Sequence, residues 1–101
     1  MKSLEELYQD IQTIISNGWE KAAQNALEQL LETHPQFAKG HHDLGILYYN
    51  ANEKEKSLEH FKKAVENDPE NVDFLKDLAD LNVELQHNHD ALTLYKRILE
   101  T

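Results

Sequence analysis

The only two prolines of this chain, Pro35 and Pro69, stand 34 residues apart, and that interval recurs through the sequence. Leu27, Phe61 and Tyr95 share it, as do Ala23, Ser57 and Ala91. So do Leu44 and Leu78, Gly45 and Ala79, and Leu58 and Leu92. Aligning 38–67 with 72–101 gives six identities: Asp43/Asp77, Leu44/Leu78, Leu47/Leu81, Leu58/Leu92, Lys62/Lys96 and Glu66/Glu100. Their weight comes from kind, because small residues meet small ones and large apolar residues meet large apolar ones. A fixed period of this length implies like supersecondary units stacked in a row, each covering its neighbour's apolar face.

Each period reads as two helices. Three glycines among 101 residues, with many Leu, Ala, Glu, Lys and Gln, favour helix nearly throughout. Ser3 and Glu6 form a capping-box pattern, after which Leu4, Leu7, Ile11, Ile14 and Ile15 recur at helical spacing until Asn17-Gly18. A second helix is predicted over about Glu20–Thr33, ended by His34-Pro35 because the residue before proline avoids the helical region. The plan then repeats: helices over about Phe37–Asn50 and Lys54–Asn67, a stop at Asp68-Pro69, and helices over about Asn71–Leu85 and Asn88–Thr101.

A 34-residue helix–turn–helix period resembles the tetratricopeptide repeat family, over nearly the whole chain. In the second period Leu44-Gly45, Tyr48, Ser57, Phe61, Ala64 and Pro69 stand where that family places Leu, a small residue, Tyr, Ala, an aromatic, Ala and Pro. The third period offers Leu75, Leu78-Ala79, Ala91 and Tyr95, and departs with Asn82 and Ile98. The first matches mainly through Ala23, Leu27 and Pro35; its first helix has Asp10 and Ile11 where Leu and a small residue belong, as if Gly18-Trp19 shifted the register by one. The resemblance implies an all-α fold: a right-handed superhelical stack of three antiparallel helix–turn–helix units, six helices in a single domain over 1–101. The repeats would span about 4–37, 38–71 and 72–101.

The same resemblance implies a noncatalytic interaction module whose first helices line a concave groove for a peptide or helix of a partner protein. Carried over position by position, the groove would draw on Tyr8, Gln12 and Ile15, then Lys39, His42, Asp43, Ile46, Tyr49 and Asn50. The third repeat would add Asp73, Lys76, Asp77, Asp80, Val83 and Glu84. Ile15, Tyr49 and Val83 would form an apolar row across the stack. Asp73, Asp77, Asp80 and Glu84 recur at i, i+4, i+7 and i+11, so one helical face would carry four negative charges. Family members that hold a C-terminal carboxylate use a clamp of Lys, Asn, Asn, Lys and Arg. The matching positions are Tyr8, Gln12, Asp43, Asp73 and Asp77, so an acidic tail would be repelled and a basic, apolar partner is expected.

Leu92 and Leu99 occupy the places of Leu58 and Val65, which should pack under a following repeat. Their exposure would make the last helix a homodimer contact, or mark the chain as the N-terminal accessory domain of a larger enzyme.

Composition removes other classes. A net charge of −9 opposes nucleic acid and anionic membrane surfaces, since phosphate binding needs clustered Lys and Arg. The absence of cysteine removes disulfides, thiolate metal sites and thiol nucleophiles. His41 and His42 point about 100° apart on a helix, and His87 and His89 have only Asp90 beside them, so no metal and no cofactor is expected. His41 falls at a core position and reads as a packed histidine. No serine sits in a nucleophile elbow, and no glycine-rich phosphate loop exists, so catalysis is not expected either. No apolar run approaches a membrane span, and the acidic start lacks a signal peptide's basic and apolar segments, so a cytoplasmic location is expected.

Overall fold

A computed structural model describes residues 1–100, an elongated body of 43 × 27 × 21 Å. Its six helices are α1 (Leu4–Ser16), α2 (Glu20–Thr33), α3 (Ala38–Asn50), α4 (Lys54–Asn67), α5 (Val72–Glu84) and α6 (Asn88–Leu99). No strand occurs among the described residues. The expected helices are present with small differences at their ends. Phe37 and Asn71 are N-cap residues, and Leu85 and Glu100 are C-caps. Thr101, placed in the last helix by the sequence pattern, lies outside the described residues.

The helix ends follow from local chemistry. Ser3 and Glu6 close the capping box, with the Ser3 amide donating to Glu6 at 3.0 Å and the Glu6 amide donating to Ser3 Oγ at 3.2 Å. Asn71 caps α5 by accepting from the Phe74 amide at 3.1 Å. His34 and Asp68, each before a proline, leave the helical region with ψ of 66° and 72°.

The turn inside each repeat is the same structure three times. Gly18, Asn52 and Gln86 adopt positive φ of 78°, 61° and 63°, and they lie one period apart. The following amide then donates to the carbonyl five residues back: Trp19 to Ile14, Glu53 to Tyr48, His87 to Asn82. The turn of the first repeat is therefore in phase with the others, and Gly18-Trp19 introduces no shift. The divergence lies inside α1, where Ile11 is buried at the place of Gly45 and Ala79, while Asp10 is exposed.

Reciprocal volume explains that exchange. Small Gly45 meets Phe61 and Ala79 shares a cluster with Tyr95, whereas Ile11 shares a cluster with the smaller Leu27. Two such clusters make up the core. One joins α1, α2 and α3 through Ile11, Leu27, Leu30, Leu31, Leu44 and Tyr48. The other joins α4, α5 and α6 through Leu58, Phe61, Val65, Phe74, Leu75, Leu78 and Leu94. Each spans a junction between repeats, where a fully buried Leu or Phe contributes about 1.5–3 kcal/mol.

Two small buried positions should respond in opposite ways. A Cβ at Gly45 would stand 2.5 Å from the Phe61 ring, which is itself packed, so Gly45→Ala should destabilise by about 1–3 kcal/mol. Ser57 is fully buried with no partner for its hydroxyl among the described residues, so Ser57→Ala should stabilise by about 1 kcal/mol. Urea unfolding of both variants checks this; equal effects of one sign would contradict it.

Candidate functional site

The first helices α1, α3 and α5 lie side by side, and their polar side chains meet across the junctions in a repeating way. The Tyr8 hydroxyl donates to Asp43 at 2.5 Å, and the Gln12 amide donates to the same oxygen at 2.8 Å. One repeat later His42 Nε2 meets Asp77 at 2.6 Å. Further along the same helices the Tyr49 hydroxyl donates to Glu84 at 2.5 Å. Tyr8–Asp43, His42–Asp77 and Tyr49–Glu84 are each separated by 35 residues, one period plus one. A donor on one first helix thus meets a carboxylate on the next.

Aromatic packing sets these donors. The Tyr8 ring stands edge-on to Phe37, with centroids 5.0 Å apart. His42 stacks on Phe61 at 5.5 Å and on Phe74 at 4.6 Å, so its imidazole is held where it can reach Asp77. Burial, and then the bond to Asp43, raise the Tyr8 phenol well above its ordinary range, so it stays a donor.

The expected acidic face takes a different form in the structure. Asp77 bonds to His42, and Asp80 accepts from Lys76 at 2.8 Å and from the Tyr95 hydroxyl at 2.5 Å. Glu84 accepts from Tyr49 and lies 3.4 Å from the Lys54 ammonium. The Lys76 and Tyr95 bonds hold the Asp80 carboxyl below its usual range, and the Tyr49 bond does the same for Glu84. Asp73 alone of the four has no hydrogen bond or ion pair among the described residues. Asp80 and Glu84 are thus engaged at both oxygens and Asp77 at one, so the face is not four bare charges.

Between repeats two and three these groups frame a cleft of about 370 Å³. Ile46, Tyr49, Phe61 and Leu81 supply its apolar lining, and Asp77, Asp80 and Glu84 supply its acidic edge. Of the residues named from sequence, Ile46, Tyr49, Asp77, Asp80 and Glu84 come together here. Val83 is 48% exposed and lies outside that lining. Tyr8, Gln12, His42 and Asp43 are half-buried in the junctions, and Ile15 packs against the first core cluster. Phe61 and Leu81 escaped the sequence reading as site residues because their periodicity marks them as core; they are core residues with one edge on the cleft.

A second polar cluster sits away from this cleft. Buried His41 donates from Nε2 to the Pro35 carbonyl at 2.7 Å, which leaves its Nδ1 as the acceptor for His60 Nδ1–H at 3.1 Å. His60 also stacks against Tyr48, whose hydroxyl donates to Glu28. His41 is the packed histidine expected from sequence; its partner lies 19 residues away and is brought to it only by the docking of α3 on α4. No group of three or more His, Cys, Asp or Glu side chains gathers for a metal among the described residues. Nor is any helix among them long and apolar enough to cross a membrane.

Burial, then neighbouring His41 and Lys63, lower the His60 pKa below its ordinary value of 6.5. Its neutral form therefore favours the folded state, and that stability is present above 6.5 and lost as pH falls through the lowered value. Urea unfolding between pH 7 and pH 5 should show stability falling with acid, and His60→Gln should flatten that limb. An unchanged slope in the variant would contradict the assignment.

Residues 38–71 match the family model described as the tetratricopeptide repeat. No curated protein matches the sequence. Solved structures of MamA superpose closely. The MamA RS-1 ArsTM double mutant is 25% identical with a TM-score of 0.86, over 96% of this chain and 55% of that one. A crystal structure of MamA gives 20% and 0.86, over 97% of this chain and 57% of that one. MamA 41-end from Desulfovibrio magneticus RS-1 gives 24% and 0.84, over 98% and 56%. The chain spans just over half the length of these structures.

Proposed function

We propose that this tetratricopeptide-repeat protein is a noncatalytic scaffold module that holds a segment of a partner protein against α3 and α5. The observation that carries the reading is the cleft between repeats two and three, apolar within and acidic at its edge. Ile46 and Tyr49, each 37% exposed, are the apolar contacts that a ligand side chain would cover. Asp77 has one oxygen held by His42 and would turn the other to a ligand cation, while Asp80 and Glu84, each engaged at both oxygens, add negative potential along the edge. The ligand is thus an extended or helical segment with an aliphatic anchor between Lys or Arg residues. Charge complementarity at such an edge selects partners and speeds their encounter. Asp73 and Val83, exposed at either end of α5, would extend the contact, while Tyr8, Gln12, His42 and Asp43 would keep the helices in register beneath it.

Fluorescent peptides with a central Leu flanked by Lys or by Glu provide the test. The Lys peptide should bind, with an affinity that falls as salt rises. Asp77→Asn with Asp80→Asn should weaken it about three- to tenfold and flatten the salt dependence. Ile46→Lys should abolish it. Equal binding of the Glu peptide, or an unchanged affinity in the double variant, would remove the charge claim.

A further inference from the structure

At two places where the first and third repeats are apolar, the middle repeat carries histidine. Leu75 and Leu94, one period after His41 and His60, are buried together in the second core cluster. Leu7 and Ala26, one period before them, pack against the first cluster. Apolar side chains serve packing at such a contact, and an imidazole pair costs desolvation that a leucine pair does not. His41 is nevertheless buried and His60 half-buried, with their Nδ1 atoms 3.1 Å apart.

That separation is the bite of a metal chelate. Metal–nitrogen bonds of about 2.0–2.1 Å meeting at about 90–109° place two donor nitrogens about 2.9–3.4 Å apart. His41 is also held as ligating histidines are, by donating from Nε2 to a backbone carbonyl, here that of Pro35 at 2.7 Å. Its Nδ1 is therefore an unprotonated, fixed lone pair. The two rings meet end to end, with centroids 5.4 Å apart and planes at 23°, so His60 has to tilt for both nitrogens to reach one ion. Its partial exposure gives it room, beside a hollow of about 420 Å³ that both histidines line. Glu28, Glu32 and Glu66 line the same hollow against Lys63, which lies 3.4 Å from Glu59. A cation thus has an entry path and negative surroundings.

We propose that His41 and His60 chelate a nitrogen-preferring divalent metal ion such as zinc through their Nδ1 atoms, with water from the hollow completing its coordination. The ion replaces the hydrogen bond between the rings. His60 changes tautomer as it binds: the Nδ1 proton leaves to solvent and one is taken up at Nε2, so both imidazoles stay neutral. Two protein ligands make an exchangeable site, unlike the closed four-ligand sites of structural zinc. The expectation of no metal set His41 against His42, its diverging neighbour on α3, whereas the second ligand comes from α4, 19 residues on. The site shares no residue with the cleft or with the exposed Leu92 and Leu99 of α6, so it stands or falls apart from the proposed function.

Zinc chloride titrated into the full chain, first cleared of metal with EDTA, tests this. Binding should saturate at one ion per chain, and about 1 mM zinc should raise Tm by about 3 °C or more, because the unfolded chain lacks the paired donors. Imidazole nitrogen NMR should show His60 passing from Nδ1–H to Nε2–H while His41 keeps its Nε2 proton. His41→Leu with His60→Leu copies the third repeat, so it should fold with a Tm no lower than the parent's and lose the zinc-induced rise. His60→Ala, which leaves the His41 bond to Pro35 in place, should lose the rise as well. His87→Gln with His89→Gln should keep it. No saturable binding by about 1 mM zinc, or a rise that survives the loss of His60, overturns the inference. So does a rise during which His60 retains its Nδ1 proton.

Discussion

A pair of helices with one apolar face each cannot bury that face alone, and the whole structure depends on how neighbouring pairs do it for each other. The two core clusters both straddle junctions, α2 against α3 and α4 against α5, rather than filling the interior of one repeat. Close approach within a repeat is set by small residues. Gly45 allows the Phe61 ring to sit where any Cβ would collide, and the same ring then borders the cleft. The packing that holds the second repeat together therefore also shapes the surface proposed to bind.

Over this apolar framework the side formed by α1, α3 and α5 carries a polar one. Asp43, Asp77 and Glu84 each take a hydrogen bond from the preceding first helix, at a spacing of 35 residues. Apolar packing is tolerant of small slides between helices, whereas a short bond from Tyr8 or His42 to a carboxylate is not. The rungs thus fix which residues of α3 and α5 face one another, and with them the width of the cleft. Asp77 and Glu84 of α5 thus take part in holding the stack in register and, with Asp80, give the cleft its negative edge.

The fold was legible in the sequence because the period repeats both volume and punctuation. Pro35 and Pro69 marked the helix ends, and Ala23, Ser57 and Ala91 marked the close contacts. The equivalence of Gly18, Asn52 and Gln86 was hidden, since a positive φ is obvious only where glycine supplies it. The site was legible in part. Family positions led to Ile46, Tyr49, Asp77, Asp80 and Glu84, which line one cleft, but also to Tyr8 and Gln12, which both donate to Asp43 in a junction. Spacing within one helix gave four acids on a face; it carried no sign that His42, Tyr95 and Tyr49 would reach three of them from other helices. His60 likewise became visible beside His41 only once two helices had docked.

The central claim is that carboxylate rungs lock neighbouring repeats, and a double-mutant cycle on the half-buried Tyr8–Asp43 pair tests it most directly. Urea unfolding of the parent, Tyr8→Phe, Asp43→Ala and the double variant gives the coupling between the two side chains. The account predicts a favourable coupling of about 1 kcal/mol, with the double variant little worse than either single one. Strictly additive losses, leaving a coupling within about 0.3 kcal/mol of zero, would contradict it.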